Sequence, residues 1–178
     1  MNRPVPTVFL DRDGVINRRL LNDYVTQPEG LEILPGVTQA LDRLHKAGWR
    51  CAVVTNQRGI ALGRMTRLDV DAIHHFLAKE VAAAGGLLTE FYVCPHDRHE
   101  GCPCRKPAPG LLDQAHAFRP VDWLGSWLVG DSDSDILAGK ARNLRTIKVA
   151  GPGQADWDHL CSDLPAAVEL ILTHSAGS

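Results

Sequence analysis

An apolar run, Val5 to Leu10, ends abruptly in Asp11-Arg12-Asp13-Gly14. A short apolar run bounded by turn residues predicts a buried strand. Asp11 and Asp13 therefore fall just past the carboxyl end of a central strand, where open α/β sheets hold their ligands. Gly14 permits the sharp turn that lets both acids face one point. Carboxylates so close repel each other unless a cation or a shared proton intervenes. Mg²⁺ suits them, because it takes carboxylate oxygens and leaves room for phosphate. The same two acids could instead cap a turn or the next helix. The rest of the chain weighs against that.

Strands and helices alternate along the sequence. Pro35-Gly36 opens a helix whose Val37, Ala40, Leu41, Leu44 and Ala47 repeat at helical spacing, and Gly48 closes it. Trp49 to Thr55 predicts a second strand, with Cys51 as a small buried hydrophobe. It ends in Thr55-Asn56-Gln57-Arg58-Gly59, a hydroxyl followed by amides and a glycine, which can cradle an oxyanion. Thr66 and Asp69 stand in capping-box register before a long helix striped by Val70, Ile73, Leu77, Val81 and Ala84. His74 and His75 are expected to be solvated. Thr89 to Val93 predicts a third strand. A helix with Leu111, Leu112, Ala115 and Phe118 follows Pro109-Gly110, and Ser126 to Val129 predicts a fourth strand. That strand ends in a second acidic run, Gly130-Asp131-Ser132-Asp133-Ser134-Asp135. Asp133 reads as a first-turn acid on the helix dipole. Leu144 to Ala150 predicts a fifth strand, and Pro165 to Thr173 a last helix. The alternation demands an α/β fold, a doubly wound and mostly parallel sheet covered on both faces.

Between the third strand and the next helix lies Cys94-Pro95-His96, then Cys102-Pro103-Cys104. Three thiols and an imidazole within eleven residues form a four-ligand soft set, the pattern of tetrahedral Zn²⁺. A complete set leaves no position for water, so the expected role is structural. Disulfides fit poorly, since Cys102 and Cys104 are too close for an unstrained bridge. His99 competes for the fourth place, but His96 is tied to Cys94 by a tight turn. The loop delivers Arg105-Lys106-Pro107 directly after its last cysteine. A lysine beside two acids can neutralise phosphoryl charge, and Arg105 can fork onto a second anion.

These segments together resemble the haloacid dehalogenase superfamily of phosphatases. Asp-x-Asp-Gly resembles its first motif, Thr55 its second, Lys106 its third and Gly-Asp-x-x-x-Asp its fourth, in the family's order over nearly the whole chain. The resemblance implies a nucleophilic Asp11 that becomes an aspartyl-phosphate. It implies an Asp13 that protonates the leaving group and then activates water. It implies Mg²⁺ on Asp11, Asp13 and Asp131, with Asp135 orienting Lys106. Substrate contacts are expected from Arg12, Asp23, Tyr24, Thr55, Asn56, Gln57, Arg58, Arg105, Lys106 and Ser132. The zinc loop leading into Arg-Lys-Pro is similar to the branch holding the heptose bisphosphate 7-phosphatases and their sisters, the histidinol-phosphate phosphatases. Arg58, Arg64 and Arg105 could meet the second dianion of a bisphosphate, whereas an amine would prefer an acidic rim. Asp23-Tyr24-Val25 resembles the heptose enzymes more closely. Ala61-Leu62-Gly63 departs from that branch, which usually has Ala-Arg-Gly there, and Arg64 follows directly.

Only 44 positions separate Asp11 from Thr55, and 50 separate Thr55 from Arg105. One helix and one strand fill most of each interval, so no separate cap domain is expected. Specificity must then come from loops, namely Arg18 to Gly30, Gln57 to Gly63 and the zinc loop. At 178 residues the chain reads as one domain, 1–178, with a disordered tail at 174–178. A formal charge of −2 gives no basic field for nucleic acid. No apolar run approaches the ~20 residues of a membrane span. Asp11, Arg12 and Asp13 interrupt the only apolar run near the start, which argues against a signal peptide. Five cysteines, three of them crowded into the zinc loop, suit a reducing compartment. The expectation is a cytoplasmic, monomeric enzyme acting on a small phosphorylated sugar, with Mg²⁺ and structural Zn²⁺. Cys161 receives no role.

Overall fold

A computed structural model describes residues 3–175. Six parallel strands form one sheet in the order β3-β2-β1-β4-β5-β6. They are β1 (Thr7–Leu10), β2 (Arg50–Asn56), β3 (Glu90–Cys94), β4 (Trp127–Gly130), β5 (Arg145–Lys148) and β6 (His159–Leu160). Helices α1 (Val37–Lys46), α2 (Arg67–Ala83), α3 (Gly110–Phe118), α4 (Asp133–Lys140) and α5 (Leu164–Ser175) make the crossovers and close the chain. The strand order reverses between β1 and β4. That is the switch point at which such sheets bind ligands.

The strands are apolar on both faces because both faces are covered. Val8, Leu10, Cys51, Val53, Trp127 and Val129 point into the core shared with α1, α2 and α5. Their alternates Phe9, Ala52, Val54 and Leu128 point into the core under α3. Helix α4 lies on that second face, where Gly139 packs against Leu128 and Thr146. Each fully buried Leu, Ile or Phe contributes about 1.5–3 kcal/mol, so the central strands are the best-anchored part of the chain. Their carboxyl ends inherit that rigidity.

Local signals in the sequence are realised with small shifts. Thr66 and Asp69 make the reciprocal capping box that opens α2. Val5 stands just outside β1 in an isolated bridge to Val121. Ala84 caps α2 and is exposed, so the buried stripe ends at Val81. Phe118, carried on the same helix as Leu111, Leu112 and Ala115, is 74% exposed because it closes the last turn of α3. His74, expected in solvent, is buried and stacks on Phe91 at 4.4 Å. The residues expected as a tail divide. His174 and Ser175 belong to α5, with the His174 ring against Trp127, and 176–178 lie outside the described residues. Among the described residues, no helix is long and apolar enough to cross a membrane. The segment between β1 and β2 holds α1 and a 3-10 turn at Pro28–Gly30, and that between β2 and Lys106 holds α2 and β3.

Candidate active site

Register brings the acids together. Leu10 pairs with Val129 across β1 and β4, and the Asp11 amide donates to the Val129 carbonyl at 3.0 Å. Asp11 and Asp131 thus leave adjacent strand ends, although most of the chain separates them. Gly14 makes this approach possible. Its φ is +92°, and a Cβ there would sit 2.2 Å from Asp131 Oδ2. Only glycine tolerates both conditions.

Lys106 is the cation at the centre. Its Nζ donates to Asp11 Oδ1 at 2.7 Å and to the Val54 carbonyl at 2.7 Å, and lies 2.5 Å from Asp135 Oδ1. Asn56 fixes the lysine's backbone, its Nδ2 donating to the Lys106 carbonyl and its Oδ1 accepting from the Lys106 amide, each at 3.1 Å. Burial by itself would lower the pKa of this ammonium. Asp11 and Asp135 more than reverse that, and the group is held firmly charged. Asp11 is pushed up to about 7, first by burial, with Lys106 opposing and Asp135, Asp131 and Asp13 adding repulsion. Burial and Asp135 also raise Asp131. The Lys106 ammonium and the Arg19 guanidinium face three carboxylates, which leaves the pocket short of positive charge.

Asp13 has a different environment. Burial disfavours its charge, but Arg12 and hydrogen bonds from Asn17 and Gln57 hold it below the usual carboxylate range. Arg12 Nη2 reaches both of its oxygens at 3.0 Å, Asn17 Nδ2 reaches Oδ1 at 2.9 Å, and Gln57 Nε2 reaches Oδ2 at 2.9 Å. The Gln57 amide also donates to Thr55 Oγ1 at 2.9 Å. Arg12 and Gln57, expected to touch substrate, are instead buried behind Asp13 and contribute nothing to the cleft wall. The carboxylates whose oxygens gather within 4.8 Å are those of Asp11, Asp131 and Asp135. The Asp13 side chain, expected among the Mg²⁺ ligands, is not in this group, because its oxygens already hold Arg12, Asn17 and Gln57. Asp135 is itself engaged by Lys106 and by the Ser132 hydroxyl, which donates to Oδ2 at 2.6 Å. Asp11 and Asp131 are each held by a single cationic side chain, Lys106 on Asp11 Oδ1 and Arg19 on Asp131 Oδ2.

Next to the site, Cys94, His96, Cys102 and Cys104 converge. Cys94 Sγ lies 3.6 Å from Cys102 Sγ and 3.6 Å from His96 Nδ1, and Cys104 Sγ lies 3.6 Å from Cys102 Sγ and 3.2 Å from His96 Nδ1. A tetrahedral ion with Zn–S bonds of about 2.3 Å places its sulfurs roughly 3.8 Å apart, close to this spacing. The thiols are free and far beyond disulfide length. His99 is exposed and outside the group. Hydrogen bonds tie this loop to the second strand's end, the Gln57 amide donating to the Cys94 carbonyl at 2.8 Å.

A cleft of about 880 Å³ opens over these groups. Asp11, Asp13, Thr55, Lys106 and Asp131 form its floor, and Asp23, Tyr24, Asn56, Arg58, Arg105 and Ser132 also border it. Tyr24 packs on Gly59, where a Cβ would sit 3.0 Å from its ring, so the first loop rests on the second. Arg58 pairs with Asp97 at 2.5 Å, and Arg105 donates to the His96 carbonyl at 3.2 Å. Three more arginines reach the rim: Arg19, Arg64 and Arg98. Arg19, not singled out from the sequence, donates to Asp131 Oδ2 at 3.0 Å. Two adjacent arginines in a long polar loop were the available signal. Lys148, also missed, is buried and fixes the Asp131 carbonyl at 2.5 Å.

A switch-point site built from acidic strand ends, a strand-end hydroxyl and a buried lysine defines a doubly wound α/β hydrolase. The model of the haloacid dehalogenase-like hydrolases matches residues 11–140, and the chain belongs to that family. It is 44% identical over 158 residues to a D-glycero-α-D-manno-heptose-1,7-bisphosphate 7-phosphatase of Mycobacterium tuberculosis, covering 81% of this chain and 79% of the relative. It is 34% identical over 186 residues to the D-glycero-β-D-manno-heptose-1,7-bisphosphate 7-phosphatase of Escherichia coli K12, covering 95% and 96%. The crystal structure of D,D-heptose 1,7-bisphosphate phosphatase from B. bronchiseptica, complexed with magnesium and phosphate, matches with a TM-score of 0.88 at 33% identity, covering 96% of this chain and 99% of that one.

The charge imbalance has a measurable consequence. Asp11 binds its proton more tightly folded, with a pKa near 7, than unfolded, near 3.8. Between those values the folded state holds the extra proton, so the contribution of Asp11 to stability falls as pH rises from about 4 to about 7. His74, held down to about 3, contributes the opposite slope below about 6.5, so the test is the difference between wild type and Asp11→Asn. In urea unfolding without divalent ions, the stability of the wild type relative to Asp11→Asn should fall through this window, and a difference that stays flat or rises would contradict the assignment.

Proposed function

We propose that this chain is a Mg²⁺-dependent phosphatase that removes the 7-phosphate of D-glycero-D-manno-heptose 1,7-bisphosphate through an aspartyl-phosphate on Asp11. Family membership and the names of the relatives make it a phosphoric monoester hydrolase. The observation that carries the finer reading is the convergence of Asp11, Lys106, Thr55 and Asp131 on one cleft floor beneath an arginine-bearing rim.

The roles follow from the geometry. Asp11 presents a carboxylate oxygen at the cleft floor and attacks phosphorus, breaking the bond to the sugar oxygen. A covalent intermediate divides one difficult displacement into two easier ones. Lys106 and the Thr55 hydroxyl stabilise charge on the phosphoryl oxygens. By the family resemblance Asp13 exchanges the proton, giving it to the departing sugar oxygen and recovering it from the water that hydrolyses the acyl phosphate, and its depressed pKa suits the second of these, the base step. Asp135 and Asn56 hold Lys106 in place. Asp11 and Asp131 fit a hard cation, and their raised pKa values register the positive charge that the pocket lacks. Mg²⁺ held there would neutralise the carboxylates and the phosphoryl oxygens. Zn²⁺ on Cys94, His96, Cys102 and Cys104 would clamp the loop that delivers Arg105 and Lys106. Free thiols in the chain suit a reducing, cytoplasmic setting. The groups named on the cleft floor all come from one chain, in keeping with a monomer as the working unit.

The rim favours a bisphosphate over an amine-bearing substrate. Arg19, Arg58, Arg64, Arg98 and Arg105 border the cleft, and apart from the carboxylates of the floor the acids there are Asp23 and Asp97, the latter paired with Arg58, so the rim would favour a second dianion over an ammonium group. The decisive measurement is kcat/KM for both anomers of the heptose bisphosphate and for histidinol phosphate, with and without Mg²⁺. The expected result is Mg²⁺-dependent release of one phosphate from the heptose and a preference of at least about 100-fold over histidinol phosphate. Asp11→Asn should lower kcat by about 10⁴-fold or more, the scale for losing a nucleophile. Near-full activity in that variant, or preference for histidinol phosphate, would refute the reading. The purified protein should also carry one zinc per chain by elemental analysis. Stripping it should lower both melting temperature and activity. A zinc-free protein of unchanged stability would remove the clamp.

A further inference from the structure

Behind Asp13 lies a second layer that the proposed chemistry does not use. Arg12 is 1% exposed, among the most deeply buried large side chains of the molecule. Its Nε and Nη2 edge grips the Asp13 carboxylate, with Nε 3.2 Å from Oδ1. Its Nη1 points the other way, to His74 Nε2 at 3.4 Å. His74 comes from α2, 62 positions along the chain, and is buried. The Phe91 ring of β3 backs it, nearly parallel at an interplanar angle of 15°. A buried guanidinium N–H without a partner is costly, and only an acceptor can satisfy it. A neutral imidazole with its proton on Nδ1 offers that acceptor. An imidazolium there would face a like charge across the contact. Burial, followed by repulsion from Arg12, pushes His74 down to about 3, so the neutral form holds at working pH.

We infer that His74 is a positioning residue for the proton-transfer step: by accepting from Arg12 it orients the guanidinium, and the guanidinium aims Asp13. The inference rests on the reading of Asp13 as the acid–base group. His74 touches neither substrate nor the reacting atoms. It links the packing of α2 and β3 to the angle of one carboxylate. A misaimed Asp13 would protonate the leaving oxygen poorly while leaving Asp11, Lys106 and Thr55 in place. The deficit would therefore appear only where the leaving group needs a proton.

That selectivity supplies the test. The slope of kcat/KM against leaving-group pKa is measured over a series of alkyl phosphates and aryl phosphates ending in p-nitrophenyl phosphate. An aryl oxide departs without help, whereas an alkoxide does not. Asp13→Asn gives the reference for a lost acid. His74→Phe keeps the volume and the stack on Phe91 but removes the acceptor, and His74→Gln restores one. His74→Phe should lose at least about 10-fold on alkyl phosphates, a fraction of the ~10²–10⁴ that general acids contribute, and under 3-fold on p-nitrophenyl phosphate, with KM little changed. His74→Gln should recover the alkyl activity to within about 3-fold. Equal loss on both classes, or none on either, overturns the proposal. If Asp13→Asn itself shows no leaving-group dependence, the acid–base assignment fails first and the proposal falls with it. A readout on the unmutated protein stands beside these: ¹⁵N shifts of His74 should report a neutral ring protonated on Nδ1. A ring protonated on Nε2, or on both nitrogens, overturns the role.

Discussion

The structure depends on one buried ammonium. Lys106 sits between Asp11 and Asp135 and also caps the carbonyl of Val54, so three separate stretches of chain meet at a single nitrogen. Breaking such a buried pair leaves uncompensated charge and is strongly destabilising, whereas the intact pair is a weak source of net stability. Its value here is positional. The lysine arrives from a loop, not from the sheet, and a loop charge needs support to be so exact. Asn56 grips its backbone, and the clustered thiols and imidazole lie immediately before it.

The sheet supplies the other half of the site. Its central strands are buried on both faces, and their carboxyl ends are the stiffest points from which to project reacting groups. Asp11, Thr55 and Asp131 all leave such ends. Burial, and then the gathering of carboxylates, shows in the raised pKa of Asp11 and Asp131, and a divalent cation bound there would relieve both. Stability and function oppose each other at this point. The residues that make the pocket useful are those that a purely stable fold would replace.

Much of this was legible in the sequence because the signals were local. Apolar runs ended in acids, a hydroxyl or a turn residue, and those ends became the cleft floor. The capping box of Thr66 and Asp69 and the spacing of the three thiols and His96 needed only neighbours to be read. What escaped depended on partners far away. His74 falls within the helical stripe of Val70, Ile73, Leu77 and Val81, but its polar ring suggested solvent until Arg12 supplied a buried partner. Arg12 and Gln57 looked like substrate contacts, and their use behind Asp13 follows only from the folded chain. The two-residue strand β6 is too short to carry a pattern. Phe118 has the right spacing for the core and is exposed because α3 ends there.

The central claim is that Asp11, held against Lys106, accepts the phosphoryl group covalently. Acid quenching during turnover, followed by peptide mapping by mass spectrometry, examines this directly. The account predicts a single phosphoryl adduct on Asp11 that forms within a turnover and decays with product release. Turnover with no adduct at any time, or an adduct carried by another residue, would contradict it.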